Sequence, residues 1–470
     1  MRHVPRLVAL IAVVAATLTG PAGSALAATP SLASVSAVTP VWGTYQSVAP
    51  TRLLDTRVGL RAPKGPIASG RTVTLSVPGL AGVPLTGVSA VVLNVTVTGA
   101  TLASYLTVWP AGTTRPTTSS INFVAGDTRA NLVTVPLGTL GAGAGKISIF
   151  NQQGGVQVIA DVMGYYVADG AAAAGGLYQR VTPQRWLDTR DPSFGGPFAP
   201  GESISMPVSY ADASDPANVI DHNPHIRALA VNITAVSPTK PGYLVSWDGL
   251  GPEPATSTLN FVAGTVTPNM AIVPVGPCTT CTGSWLGLPS ITVRNRSAGT
   301  VHVLIDVVGF YDDGQIGDGL RFRPLPPTRI VDTRTGFGAS RFTGSATKIV
   351  AAPVSVAGLP TYSLVTNTTA VAPTLPTHLT LWDNDPVKPT VSNLNVAKGQ
   401  IVANATVTDL GVGNRFSIFN QQGAVDVVVD VVGTMEYVPN IGPLAKAAPA
   451  AGSRVWTSSI TAQSARRAVR

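Results

Sequence analysis

Three aspartates stand where a carboxylate is costly. Asp161, Asp306 and Asp430 each interrupt an apolar run, Val-Ile-Ala-Asp-Val, Val-Leu-Ile-Asp-Val and Val-Val-Val-Asp-Val. Three more, Asp55, Asp188 and Asp332, lie in the motif Pro-x-Arg-x-x-Asp-Thr-Arg, flanked by Arg52 and Arg57, Arg185 and Arg190, and Arg329 and Arg334. Two carboxylates can share acid–base work, but only in a cleft that pushes their pKa values apart. A lone carboxylate buried in an apolar strand must instead be paired. An arginine partner keeps such a carboxylate ionised. The expectation is therefore an ion-pair clamp. One arginine of each motif bonds the strand aspartate, and Asp55, Asp188 and Asp332 bond nearby backbone or the other arginine.

Aromatic pairs offer a second chemistry. Alternation along Tyr105-Leu-Thr-Val-Trp109 puts Tyr105 and Trp109 on one face. Tyr243 with Trp247 and His378 with Trp382 repeat the spacing. If the leucines face the core, these rings form outward platforms suited to stacking on sugars, although large aromatics more often fill cores. Asn94, Asn122, Asn131 and Asn151 also recur and read as amides bonded to loop backbone. Cys278 and Cys281, in Cys-Thr-Thr-Cys, read as a disulfide stapling one loop. A metal site is not expected, because zinc would need two more ligands. The oxygen-rich runs Asp312–Asp318 and Asp383–Asp385 complete no known calcium loop. No nucleophile elbow, zinc-protease, P-loop or dinucleotide motif is present. Neither His302 nor His378 recurs in the other copies. No catalytic residue and no cofactor is assigned.

The elements that hold these residues come in three copies. The aspartates of the opening motif are 133 and then 144 residues apart. Each copy then runs through the same series: Asn94-Val-Thr, the Tyr/His-to-Trp segment, Ile121-Asn-Phe-Val-Ala-Gly126, Asn131, Ile147 to Asn151, and Asp161-Val-Met-Gly164. A period this long is a whole domain, not a solenoid unit. Short runs rich in Val, Ile and Thr, bounded by Gly, Pro, Asn and Asp, read as strands. The fold expected is all-β: three tandem homologous β-sandwich or jelly-roll-like domains, with a small barrel as the alternative. The divisions are a signal peptide 1–27, a leader 28–44, repeat 1 at 45–167, a linker 168–176, repeat 2 at 177–311, a linker 312–319, repeat 3 at 320–438 and a basic tail 439–470.

The opening motif, the Asn-Val-Thr strand and the Asp-Val-x-Gly-Tyr-Tyr ending resemble a mostly uncharacterised repeat domain of secreted actinobacterial proteins. The resemblance covers about residues 45–437. It implies no catalytic residues. Repeat 3 departs from the pattern, with Gly433-Thr434-Met435 at the ending and His378 in place of the tyrosine.

Composition bounds the function. The 470 residues carry a net charge of +8 with only 11% charged residues. Arg2 and Arg6 precede the apolar run Leu7–Leu18, which is too short to span a bilayer. Ala25-Leu26-Ala27 completes a secretory signal. Lys446, Arg454, Arg466, Arg467 and Arg470 carry the tail's positive charge, and without these seven the body is close to +1. Nucleic acid is thus not an expected partner, nor is a membrane span expected in the mature chain. The reading is a secreted, non-enzymatic cell-envelope or matrix protein, adhering through multivalent contacts to cell-wall or extracellular polysaccharide. The rivals are a purely structural surface spacer, with the copies packed as a pseudo-threefold body, and an exported hydrolase with an unrecognised site. The tail reads as unstructured chain, or as a weak attraction for anionic polymers.

Overall fold

A computed structural model describes residues 42–169, 175–212 and 219–438, with the backbone of Trp456–Ser458 and Arg466–Val469. The signal peptide, most of the leader and much of the tail lie outside the described residues. Repeat 1 contains eight strands: β1 (Gly43–Asp55), β2 (Thr72–Ser76), β3 (Val88–Thr98), β4 (Ser104–Pro110), β5 (Ile121–Phe123), β6 (Arg129–Pro136), β7 (Lys146–Asn151) and β8 (Gln157–Ala168). β1 pairs with β8, β2 with β7, β3 with β6 and β4 with β5, all antiparallel. The chain is thus a ribbon doubled on itself. Rolling that ribbon sets β1-β8-β3-β6 in one sheet and β2-β7-β4-β5 in another, which is a jelly roll.

The same four pairings recur in the other copies. Tyr178–Asp188 pairs with His302–Tyr311, Glu202–Pro207 with Pro289–Asn295, Ala228–Val236 with Val266–Pro274, and Gly242–Trp247 with Leu259–Phe261. In repeat 3 the pairs are Arg321–Asp332 with Asp426–Glu436, Ala346–Ala351 with Arg415–Asn420, Thr361–Val371 with Ile401–Asp409, and Thr377–Asp383 with Leu394–Val396. No α-helix occurs among the described residues.

Each sandwich has its own core, around residues such as Leu93 and Ile149, Ile233 and Val293, or Leu364 and Ile418. A fourth core lies between the copies. It gathers Tyr45, Tyr166, Tyr178, Tyr311, Phe322, Met270, Ala405 and Met435, drawn from all three. The inner sheets therefore bury both faces, one inside each copy and one against its neighbours. That explains why β3 is buried along almost its whole length and reads as a continuous apolar run instead of an alternation. By contrast, β2 buries only Leu75.

The glycine of the Asp-Val-x-Gly motif serves this fourth core. A Cβ on Gly164 would meet the Tyr45 hydroxyl at 2.2 Å, and one on Gly309 the Tyr178 hydroxyl at 2.2 Å. One on Gly433 would meet the Phe322 ring at the same distance. Each ring lies directly over its glycine, a place that only a missing side chain leaves open. The sheets also join at their edges. Gly43 pairs with Phe322, so the inner sheets of repeats 1 and 3 form one eight-stranded sheet. Single bridges link Tyr45 to Gly176 and Tyr178 to Leu320.

The tail contributes two strands to repeat 2. Arg466–Val469 pairs antiparallel with Glu202–Pro207, and Trp456–Ser458 with Tyr210–Asp212. These segments depart from the expectation of unstructured chain, because an open sheet edge offers unpaired backbone groups to any extended segment within reach. The equivalent edges, β2 and Ala346–Ala351, carry no such strand among the described residues.

Candidate functional site

The opening motif ends the first strand of each copy and lies beside the last, which brings its arginines against the strand aspartate. Arg52 Nε donates to Asp161 Oδ1 at 2.9 Å, and Arg52 Nη1 to Asp55 Oδ2 at 3.2 Å. Arg57 grips Asp55 twice, at 3.0 and 2.7 Å, and its backbone N–H adds a third bond at 3.0 Å. Arg185 joins Asp306 at 2.8 Å to Asp188 at 3.3 Å, while Arg190 holds Asp188. Arg329 joins Asp430 at 2.8 Å to Asp332 at 3.1 Å, while Arg334 holds Asp332. Asp161, Asp306 and Asp430 are fully buried, whereas the bridging arginines keep about a quarter of their side chains exposed.

The two sets of carboxylates are pushed in opposite directions. Burial raises Asp161, Asp306 and Asp430, against the pull of Arg52, Arg185 and Arg329. The Arg57 and Arg334 guanidiniums hold Asp55 and Asp332 below their ordinary value of 3.8. Burial pushes Asp188 up, but the Arg190 bonds outweigh it and its pKa ends lower. A depressed folded pKa contributes stability above the unfolded value, and that contribution is lost as pH falls through the folded one. Below about pH 3.8 the Asp332 clamp therefore weakens. Thermal melts over pH 2–5 should show a shallower acid loss for Asp332→Asn than for wild type; equal slopes would contradict the assignment.

Chemically the arrangement is closed. Both oxygens of Asp161 face Arg52, at 2.9 and 3.5 Å, and those of Asp306 and Asp430 are engaged in the same way by Arg185 and Arg329. What the site does is tie the first strand of each sandwich to its last.

The aromatic pairs are placed differently from the expected platforms. Leu106, Leu244 and Leu379 do face the cores. Yet Trp109, Trp247 and Trp382 on the other face are only 7%, 8% and 6% exposed. The loop after the strand folds back as a roof. Thr107 donates to the Thr118 carbonyl and Trp109 Nε1 to the Thr113 carbonyl. Thr380 donates to Val391, and Trp382 to Asp385, in the same manner. Of the six ring residues only Tyr243 is exposed; Tyr105 and His378 are half-buried. The outward face is therefore not a sugar-stacking surface at the tryptophans.

Cys278 and Cys281 are joined by a disulfide with Cα atoms 5.6 Å apart. In the first oxygen-rich run, Asp312 and Asp313 are engaged by the protein itself. Asp312 accepts from Leu177, Gln179 and Gly314, and Asp313 from Arg227.

The recurring asparagines carry a role that reading one copy at a time misses. Asn94 Nδ2 donates to the Ser257 carbonyl of repeat 2 at 2.6 Å, and Asn269 Nδ2 donates back to Asn94 Oδ1 at 3.0 Å. Asn232 reaches Ser392 of repeat 3 at 2.7 Å, and Asn404 returns to Asn232 at 2.9 Å. Asn367 reaches Ser119 of repeat 1 at 2.6 Å, and Asn131 returns to Asn367 at 2.9 Å. The circuit runs from repeat 1 to 2, 2 to 3 and 3 to 1, so it closes with pseudo-threefold symmetry. Backbone bonds across the copies reinforce it: Met270 N–H donates to Asn404 and Ala405 N–H to Asn131. Among the described residues the third such bond is absent, and Asn269 Oδ1 is buried without a hydrogen-bond partner. The available signal was an asparagine inside a strand, a place where that residue is depleted, flanked by apolar residues at Asn94 and Asn232 and by threonines at Asn367.

No family model matches the chain, and no curated protein sequence matches it. Among solved structures, one described as "The Triple Jelly Roll Fold and Turret Assembly in an Archaeal Virus" aligns at 10% identity over 84% of this chain and 90% of that one, with a TM-score of 0.16. Another, "Life in the extremes: atomic structure of Sulfolobus Turreted Icosahedral Virus", aligns at 8% identity over 84% and 91%, also with a TM-score of 0.16. The jelly-roll assignment rests on the strand pairing above and not on these likenesses.

Proposed function

We propose that the protein is a secreted, non-enzymatic component of the cell envelope or surrounding matrix that acts as one rigid pseudo-threefold body. The observation that carries this reading is the closed asparagine circuit over a core shared by the three copies. Such a construction suits a structural surface element. It differs from three independent adhesion modules on flexible linkers, whose avidity would come from engaging separate sites. The buried tryptophans support the same choice, since they remove the flat rings on which separate sugar platforms would depend. The clamp adds no free acid or base, which is why a hydrolase is the weaker reading.

Calorimetry and cell fractionation test the proposal together. The full chain should melt in a single transition, and it should be found in the wall or culture fluid without residues 1–27. It should release no fragments from purified wall. Three separate transitions, retention in the cytosol or wall hydrolysis would each overturn it.

A further inference from the structure

Two breaks in the threefold repeat open onto one pocket. The loops that follow the short Asn-Phe or Asn-Val strand meet where the three copies come together, and they line a solvent-open cavity of about 470 Å³. That size lies within the range of small-molecule sites, about 300–1,000 Å³. Repeat 3 has His378 where its companions have Tyr105 and Tyr243. Repeat 1 has Arg129 where they have Thr267 and Val402, as the registers opposite the recurring asparagine strands show. Both departures line the cavity.

The lining leaves polar capacity unused. A guanidinium offers five N–H donors, but among the described residues the polar contacts of Arg129 are two long ones, to Asp127 and to the Ile401 carbonyl, each at 3.5 Å. Asn260 uses its carbonyl oxygen on Ser257, and Asn395 uses its amide on Ser392. Among the described residues nothing engages the NH₂ of Asn260 or the oxygen of Asn395, which leaves both for a ligand. Burial, with Lys388 and Arg185 nearby, holds His378 toward its neutral form, in which one ring nitrogen donates and the other accepts. Val262 and Val266, both exposed, supply apolar surface at the same cavity.

We propose that this pocket binds a short neutral saccharide. Sugar hydroxyls both donate and accept, which matches a wall that mixes an acid, a base and amides. Asp127 disfavours an anion and Arg129 disfavours a cation, and the valines suit the C–H face of a sugar ring. The site goes beyond the structural reading above and uses none of the tryptophans. It requires the copies to be packed as one body, so melting of each variant is recorded alongside binding.

The test is saturation-transfer NMR and calorimetric titration of the full chain. The probes are oligomers of two to four units of glucose, mannose, galactose, arabinose or N-acetylglucosamine, with a glucuronic acid disaccharide as the acidic arm. At least one neutral oligomer should bind with one-to-one stoichiometry. His378→Tyr and Arg129→Thr, which restore residues used by the other copies, should each weaken it about tenfold or more without changing the melting temperature. Binding by no neutral oligomer, binding by the acidic disaccharide alone, or unchanged affinity in both variants would overturn the proposal. If a variant loses its cooperative melt, Asn260→Ala and Asn395→Ala replace it, with the same tenfold criterion.

Discussion

Replacing Asn131 with alanine should destabilise the protein by about 3–5 kcal/mol, because two buried groups and one half-buried carbonyl lose their partner at once and each buried orphan costs about 1–3 kcal/mol. Asn131 donates to the Ser120 carbonyl and to Asn367 Oδ1, and its own oxygen accepts from the Ala405 N–H. Two of those three bonds cross from repeat 1 to repeat 3. The equivalent Asn269→Ala change should cost clearly less. Its oxygen has no partner to lose, and only the bonds to Asn94 and Thr258 disappear. Denaturant melts of the full chain would rank the two variants. A loss below about 1 kcal/mol for Asn131→Ala, or a reversed order, would contradict the circuit as the basis of inter-copy cohesion.

The second large effect belongs to the clamp. Breaking one side of a buried ion pair costs about 3–5 kcal/mol when the remaining charge is stranded. For Asp161→Ala the expectation is the lower end, about 3 kcal/mol. Arg52 is only partly buried and still bonds Asp55. Arg52→Ala is the more severe lesion, because it leaves the fully buried Asp161 without its bonded cation, Arg57 acting only at longer range. That carboxyl would then take up a proton, a direction in which burial already pushes it. Urea melts at pH 7 and pH 5 should therefore show Arg52→Ala recovering stability relative to wild type on acidification, while Asp161→Ala does not. A loss below about 1 kcal/mol for Asp161→Ala would remove the clamp from the account of stability.

The legible and illegible parts of this fold divide along a physical line. Strand positions, the three copies and the arginine–aspartate pairing all follow from constraints local to one copy. A buried carboxylate needs a cation, and the only arginines that recur with it are in the opening motif. The tryptophans show where such reasoning stops. Alternation places Trp109 on the face opposite Leu106, but whether that face meets water depends on where the loop 110–120 lies. The Thr107 and Trp109 bonds that hold the loop there are invisible to periodicity. The asparagines mark a second limit. Asn94 recurs at a fixed place in each copy, yet its partners, Ser257 and Asn269, sit in the next one, and repetition alone does not say how copies dock. Gly164 falls between these cases. Its recurrence required a close approach, but only the fold shows that the approaching group is the Tyr45 ring.

The closed circuit also bears on dilution. Three separate chains held by the same contacts would fall apart as their concentration dropped, since association by mass action sets the stability of an obligate oligomer. Here the linkers at 168–176 and 312–319 make every one of those contacts intramolecular, so the assembled state no longer depends on how much protein is present. Covalent continuity has a further effect. Each of the three interfaces is encoded separately, so one can change while the other two keep the body intact. Arg129 and His378 have that freedom, and a ring of identical subunits would not.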